Sequence, residues 1–88
     1  MIKGKTKSGF AYTLRDGFAD DMELLELLVD VDDGKSGALP KVLTKLLGDE
    51  QKRKLYDHCR TDDGRVPMSA IADEVAQIFA QQNATKKS

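Results

Sequence analysis

Two acidic triplets, Asp32-Asp33-Gly34 and Asp62-Asp63-Gly64, and the pair His58-Cys59 are the stretches whose residue types and spacing could hold a metal or attack a substrate. A helix-loop-helix calcium site needs oxygen ligands at positions 1, 3 and 5, glycine at 6 and a bidentate glutamate at 12. Counted from Asp30, position 5 is Gly34, position 6 is Lys35 and position 12 is Lys41, so the ligand pattern fails. The second triplet has too few acids to do better. His58 and Cys59 are neighbours, and adjacent helical side chains do not face each other, so they cannot act as a nucleophile and its base. One His and one Cys in the whole chain leave no zinc set. No phosphate-cradling glycine loop, nucleophile elbow or paired-histidine motif occurs. The reading is therefore of no catalytic residues, no cofactor and no metal, with Cys59 a small core residue and His58 solvated.

Charge is segregated along the chain. Residues 16–33 carry eight carboxylates and no cation, between basic blocks at 1–15 and 34–60, although the formal net charge is only −1. Such a distribution suits attraction between faces of the fold, contact with another subunit, or a basic partner on the acidic face. Nucleic acid is not expected. Phe10 and Tyr12 lie in a basic stretch and could stack on bases, but they read as core, and the last helix exposes Asp73 and Glu74 where a DNA reader needs cations. No apolar run is long enough to span a bilayer, and no segment resembles a secretion signal. Together with a single Cys59, these features place the protein in a cytoplasm.

The elements follow from hydrophobic periodicity. Phe10, Tyr12 and Leu14 alternate with Ala11, Thr13 and Arg15, the period of a half-buried strand, and Gly9 with Lys7 and Ser8 can turn the chain into a hairpin with the first residues. Asp20 or Asp21 can cap a leucine-dense helix in which Met22, Leu24, Leu25, Leu27, Leu28, Val29 and Val31 cover a wide arc, with Glu23, Glu26, Asp30 and Asp33 on the narrow remainder. This arc reads as the centre of the core, with part of it free for a subunit contact, so a carboxylate placed at Leu25 or Leu28 is expected to unfold the domain. Gly34 ends that helix and Pro40 opens a second. Gly48 is read as closing the second helix and Asp49 as capping a third, through about Arg60. After Gly64 and Pro67 comes a fourth, with Met68, Ile71, Val75, Ile78 and Phe79 on one face and Ser69, Asp73, Glu74, Gln77 and Gln81 opposite. The fold expected is mainly α: a small four-helix domain over residues 1–82 with a short N-terminal β-hairpin or strand, and a disordered tail at 83–88.

Four segments taken in order, Thr6-Lys7-Ser8-Gly9-Phe10, Asp21-Met22-Glu23-Leu24-Leu25-Glu26-Leu27-Leu28, Leu46-Leu47-Gly48-Asp49-Glu50-Gln51 and Asp63-Gly64-Arg65-Val66-Pro67, resemble the small tail assembly chaperones of long-tailed bacteriophages and prophages. The resemblance runs from Ser8 to Phe79. It implies a non-enzymatic helical protein of the host cytoplasm that binds the tape measure protein, helps recruit tail tube subunits and is absent from the finished tail. Members of this family are often made with a longer frameshifted partner. A tape measure protein is long and largely helical, so its chaperone needs an apolar groove for amphipathic helices. The candidate partner-binding residues are Met22, Leu24, Leu25 and Leu28, with Glu23, Glu26 and Asp30 beside them. A homo-oligomer is compatible with the same surface. The alternatives are a phage neck or head-completion protein, which stays in the virion, and a small cytoplasmic regulator that binds one protein.

Overall fold

In the computed structural model, which describes residues 1–87 and side chains as far as Gln82, the chain begins with the expected hairpin. Strand β1 (Ile2–Lys5) pairs antiparallel with β2 (Ala11–Leu14), Ile2 opposite Leu14 and Gly4 opposite Tyr12. The turn between them is closed by the Thr6 N–H donating to the Phe10 carbonyl (2.9 Å) and the Gly9 N–H to the Thr6 carbonyl (3.0 Å). A two-stranded ribbon is not stable alone in water. Its alternating residues Phe10, Tyr12 and Leu14 are accordingly buried against the helices.

Helix α1 (Met22–Asp32) starts where Asp21 Oδ1 accepts from the backbone N–H groups of Glu23 (3.0 Å) and Leu24 (3.3 Å), satisfying two donors that the first helical turn leaves free. After a short 3-10 turn, Ser36–Ala38, α2 (Leu39–Cys59) begins with Pro40 in its first turn. Helix α3 (Met68–Lys87) comes after the Asp62-Asp63-Gly64 turn. The tail expected to be disordered, 83–88, lies outside the residues whose side chains are described. Helix α2 is the hub, since α1, α3 and β2 all pack on it. Val42, Leu43, Leu55 and Ile78 are fully buried at the centre of one core. Among the described residues, no helix is long and apolar enough to cross a membrane.

Among the described residues, the expectation of four helices is corrected to three. The segments read as a second and a third helix are one element, kinked at Gly48, whose dihedrals (φ 84°, ψ 164°) are non-helical. A glycine tolerates that left-handed φ where a Cβ would strain the backbone. The two-helix reading lacked a linker: reversing direction between packed helices takes about two to eight residues, and Asp49 comes directly after Gly48. The chain therefore bends and continues. Beyond the bend, the Gln51 side chain secures the break: Nε2 donates to the Leu47 carbonyl (2.8 Å) and to the Thr13 carbonyl (2.8 Å), while Oε1 accepts from the Thr13 N–H (2.7 Å). One amide thus fastens the kink to the outer edge of β2.

A second correction concerns α3. The periodicity puts Glu74, Gln77 and Gln81 on a solvated face, yet they stand at the i, i+3, i+7 spacing of one helical stripe and meet the hairpin. Glu74 accepts from the Thr6 and Ser8 hydroxyls, Gln77 Oε1 accepts from the Lys7 N–H (2.8 Å), and Gln81 Nε2 donates to the Lys5 carbonyl (3.0 Å). Gln81 Oε1 also accepts from the Tyr12 hydroxyl (2.6 Å). The hairpin is held to α3 by a polar seam as well as by its apolar face.

Candidate protein-binding surface

The arc on α1 divides in two. Leu24 is buried, and Leu27, Leu28 and Val31 pack partly against the core, completing the i, i+3, i+4, i+7 stripe of a helix with one neighbour. Met22, Leu25 and Val29 form a second stripe and face outward, at 68%, 52% and 49% exposure. A half-exposed Leu25 overturns the expectation that a carboxylate there unfolds the domain. The arc is wider than the core can cover because the helix meets only α2 and the 3-10 turn over much of its length.

Between α1 and α3 lies a groove of about 250 Å³, floored by Leu39 and Val42 of α2 and walled by Leu28, Val31 and Asp32 on one side and Ala72, Val75, Ala76 and Phe79 on the other. Ala72 and Ala76 are one turn apart, and their small side chains keep that wall low, so a guest backbone can come close. Leu39 also lines a neighbouring recess of about 330 Å³ formed with Leu43, Tyr56, Met68 and Ile71, where Met68 is 69% exposed. At 3.6 residues per turn, Leu28, Asp32, Leu25, Val29 and Met22 succeed one another around α1, leading out of the groove and over its lip. Glu26, Asp30 and Glu23 come next on the far side. Of the seven residues predicted from sequence to meet a partner, Met22, Leu25 and Leu28 therefore share one apolar surface and Glu26 borders it, whereas Leu24 lies beneath it in the core. Glu23 and Asp30 turn toward cations of the same chain.

Those cations neutralise only part of the acidic block. Lys45 Nζ lies 2.9 Å from Glu23 and 3.3 Å from Asp21, Arg15 is 3.7 Å from Asp21, and Lys35 is 3.8 Å from Asp30. Asp21 experiences a desolvation that raises its pKa, outweighed by the Leu24 and Glu23 N–H groups and by Lys45, so its carboxyl titrates below its ordinary value. Lys45 in turn is shifted upward by its hydrogen bonds to Glu23 and Asp21. Sequence reasoning missed the groove's floor and its α3 wall. The available signal was the Ala72, Ala76 pair beside Val75 and Phe79.

A second cluster assembles chemistry-bearing groups far apart in sequence. Glu74, 5% exposed, accepts from Thr6 Oγ1 and Ser8 Oγ, each at 2.7 Å, and Ser8 Oγ lies 2.9 Å from His58 Nε2. In a serine nucleophile, the imidazole takes the hydroxyl proton and the carboxylate orients the other ring nitrogen. Here the order differs. The Ser8 proton points to the carboxylate, which can only accept, so His58 must donate from Nε2. The His58 ring also sits 5.7 Å from that of Phe10. Burial, and then the Glu74 charge, push the Cys59 thiol up, which favours the protonated and less nucleophilic form. The cluster is a latch that fixes the hairpin turn to α2 and α3. Among the described residues, no group of three or more His, Cys, Asp or Glu side chains is placed to hold a metal ion.

Comparison of the chain with protein-family models, curated proteins and solved structures finds no match.

Proposed function

We propose that this protein is a non-enzymatic tail assembly chaperone of a long-tailed phage or prophage, acting in the bacterial cytoplasm by holding helical segments of the tape measure protein while tail tube subunits are recruited. The observation that carries the reading is the continuous apolar surface formed by the α1–α3 groove and the Met22, Leu25, Val29 lip. A small domain that leaves such a surface open has a site for an amphipathic helix. The ordered motif resemblance supports the same reading, and the structure gives two of its segments physical roles: Gly48 and Gln51 set and fasten the bend in α2, and Thr6 and Ser8 form the latch on Glu74.

The test is to tag the chain in its own host, recover its complexes and analyse purified particles by mass spectrometry. The tape measure protein encoded nearby should co-purify, and the chain should be missing from intact virions. A stoichiometric copy in the particle would reassign it as a neck or head-completion component. Co-purification with a single host protein instead would make it a regulator.

A further inference from the structure

Charge around the groove selects among the helices that could enter it. Asp32 lines the groove itself, between Leu28 and Leu25 on the helical wheel, and among the described residues is the one charged group in a lining otherwise made of apolar side chains. Glu26 stands just beyond the lip formed by Met22 and Val29, and Asp33 caps the end of the same helix. Asp21, Glu23 and Asp30 have cations of their own chain, but Glu26, Asp32 and Asp33 have no ion-pair partner among the described residues. No cation occurs in residues 16–34 to supply one. The apolar path over α1 is thus bordered by exposed carboxylates whose negative field no ion pair among the described residues offsets.

We infer that the occupant of this surface is an amphipathic helix of another protein that carries a row of lysine or arginine beside its apolar stripe. The inference rests on the groove being the binding surface proposed above and adds the chemistry of the partner. The apolar stripe fills the space between Leu28, Val31 and Ala72, Ala76. The basic row lies over α1 and meets Asp32, Glu26 and Asp33. A second copy of this chain is a poor occupant, because a two-fold contact through α1 sets the three unpaired carboxylates against their own images. Opposite charge at the rim speeds encounter and fixes the direction in which the guest lies, and like charge excludes wrong partners.

The experiment uses the full chain and two synthetic helical peptides of roughly 18 residues, about five turns. Both carry the same leucine and alanine stripe, one flanked by lysine and the other by glutamate, and binding is measured by calorimetry at ~0.1 M and ~1 M salt, where the screening length falls from about 10 Å to about 3 Å. The lysine peptide should bind at least about tenfold more tightly than the glutamate peptide, and the difference should collapse at high salt. The triple variant E26K/D32K/D33K should reverse the preference, and Leu25→Ser, at an exposed site, should weaken both peptides while leaving the circular dichroism melt unchanged. Equal affinity for the two peptides, lost in Leu25→Ser, overturns the charge inference and leaves the groove reading standing. Binding of neither peptide, or binding that Leu25→Ser does not change, overturns both. Self-association in sedimentation that Leu25→Ser abolishes overturns the inference in favour of a second copy.

Discussion

Removing the Glu74 carboxylate should loosen the hairpin and destabilise the whole domain. Two hydroxyls donate to Glu74, from Thr6 and Ser8, at 2.7 Å each, and both bonds are assisted by its charge. Hydrogen bonds to charged groups contribute about 1.5–3 kcal/mol each, so Glu74→Ala loses about 3–6 kcal/mol gross. Two effects offset this: the variant no longer buries a carboxylate, and Thr6 Oγ1 and Ser8 Oγ, already 3.2 Å apart, can bond to each other. The net loss is then about 2–3 kcal/mol, which for a domain of this size corresponds to a fall in Tm of roughly 10–20 °C. Urea titration followed by circular dichroism measures it directly. Glu74→Gln should cost about half as much, since one amide oxygen still accepts while the amide N–H₂ faces a hydroxyl that must turn round. A cycle with Thr6→Val should show a coupling of about 1 kcal/mol or more. If Glu74→Ala lies within about 0.5 kcal/mol of the parent, the ordinary range for surface substitutions, then the latch does not hold the hairpin and the reasoning fails.

The same structure carries three further expected outcomes. Leu24→Asp should cost several kcal/mol by burying an unpaired carboxylate, whereas Leu25→Asp should melt like the parent; equal melts in differential scanning calorimetry would mean that α1 packs by another face. Gly64 has φ 89° and open space where a Cβ would point, so Gly64→Val carries only backbone strain, about 1–2 kcal/mol, readable as a lower urea midpoint. Asp21 has a pKa lowered in the folded state from 3.8, so the stability it contributes is present above that pH and lost as pH falls through the lowered value. Asp21→Asn should therefore be less stable at neutral pH, with the gap closing below about pH 4; a gap that stays constant across an acid titration would show that the carboxylate charge is not what caps α1.

How much of the fold is legible in the sequence depends on how local each signal is. The hairpin and the glycine turn at Gly64 are set by residues within a few positions of one another and can be read directly, while the cap of α1 is narrowed to Asp20 or Asp21 and settled on Asp21 by the structure. The bend in α2 is half legible. Gly48 marks the place, but whether a glycine ends a helix or kinks it is decided by the residues C-terminal to it, and here Asp49 continues at once into a segment that buries Leu55 in the same core. On α1 the period gives the helix but not the division of its apolar arc. That division depends on how many neighbours the helix has, which is a property of the packed chain.

The least legible part is the polar side of α3, and the reason bears on function. A stripe of Glu74, Gln77 and Gln81 is indistinguishable by period from a solvated face, because periodicity reports which residues share a side and not what covers it. The hairpin covers it, using Thr6 and Ser8 hydroxyls and the backbone of Lys5 and Lys7 as partners. Because polar contacts carry part of that docking, the apolar residues Ala72, Ala76 and Phe79 on another side of α3 are not consumed by the hairpin, and they remain available to wall the groove. On α1 the division runs the other way: one apolar stripe serves the core, and the lip is left over. In a chain of 88 residues, an open apolar groove is kept by letting hydrogen bonds take over part of the packing that such a small core would otherwise have to supply.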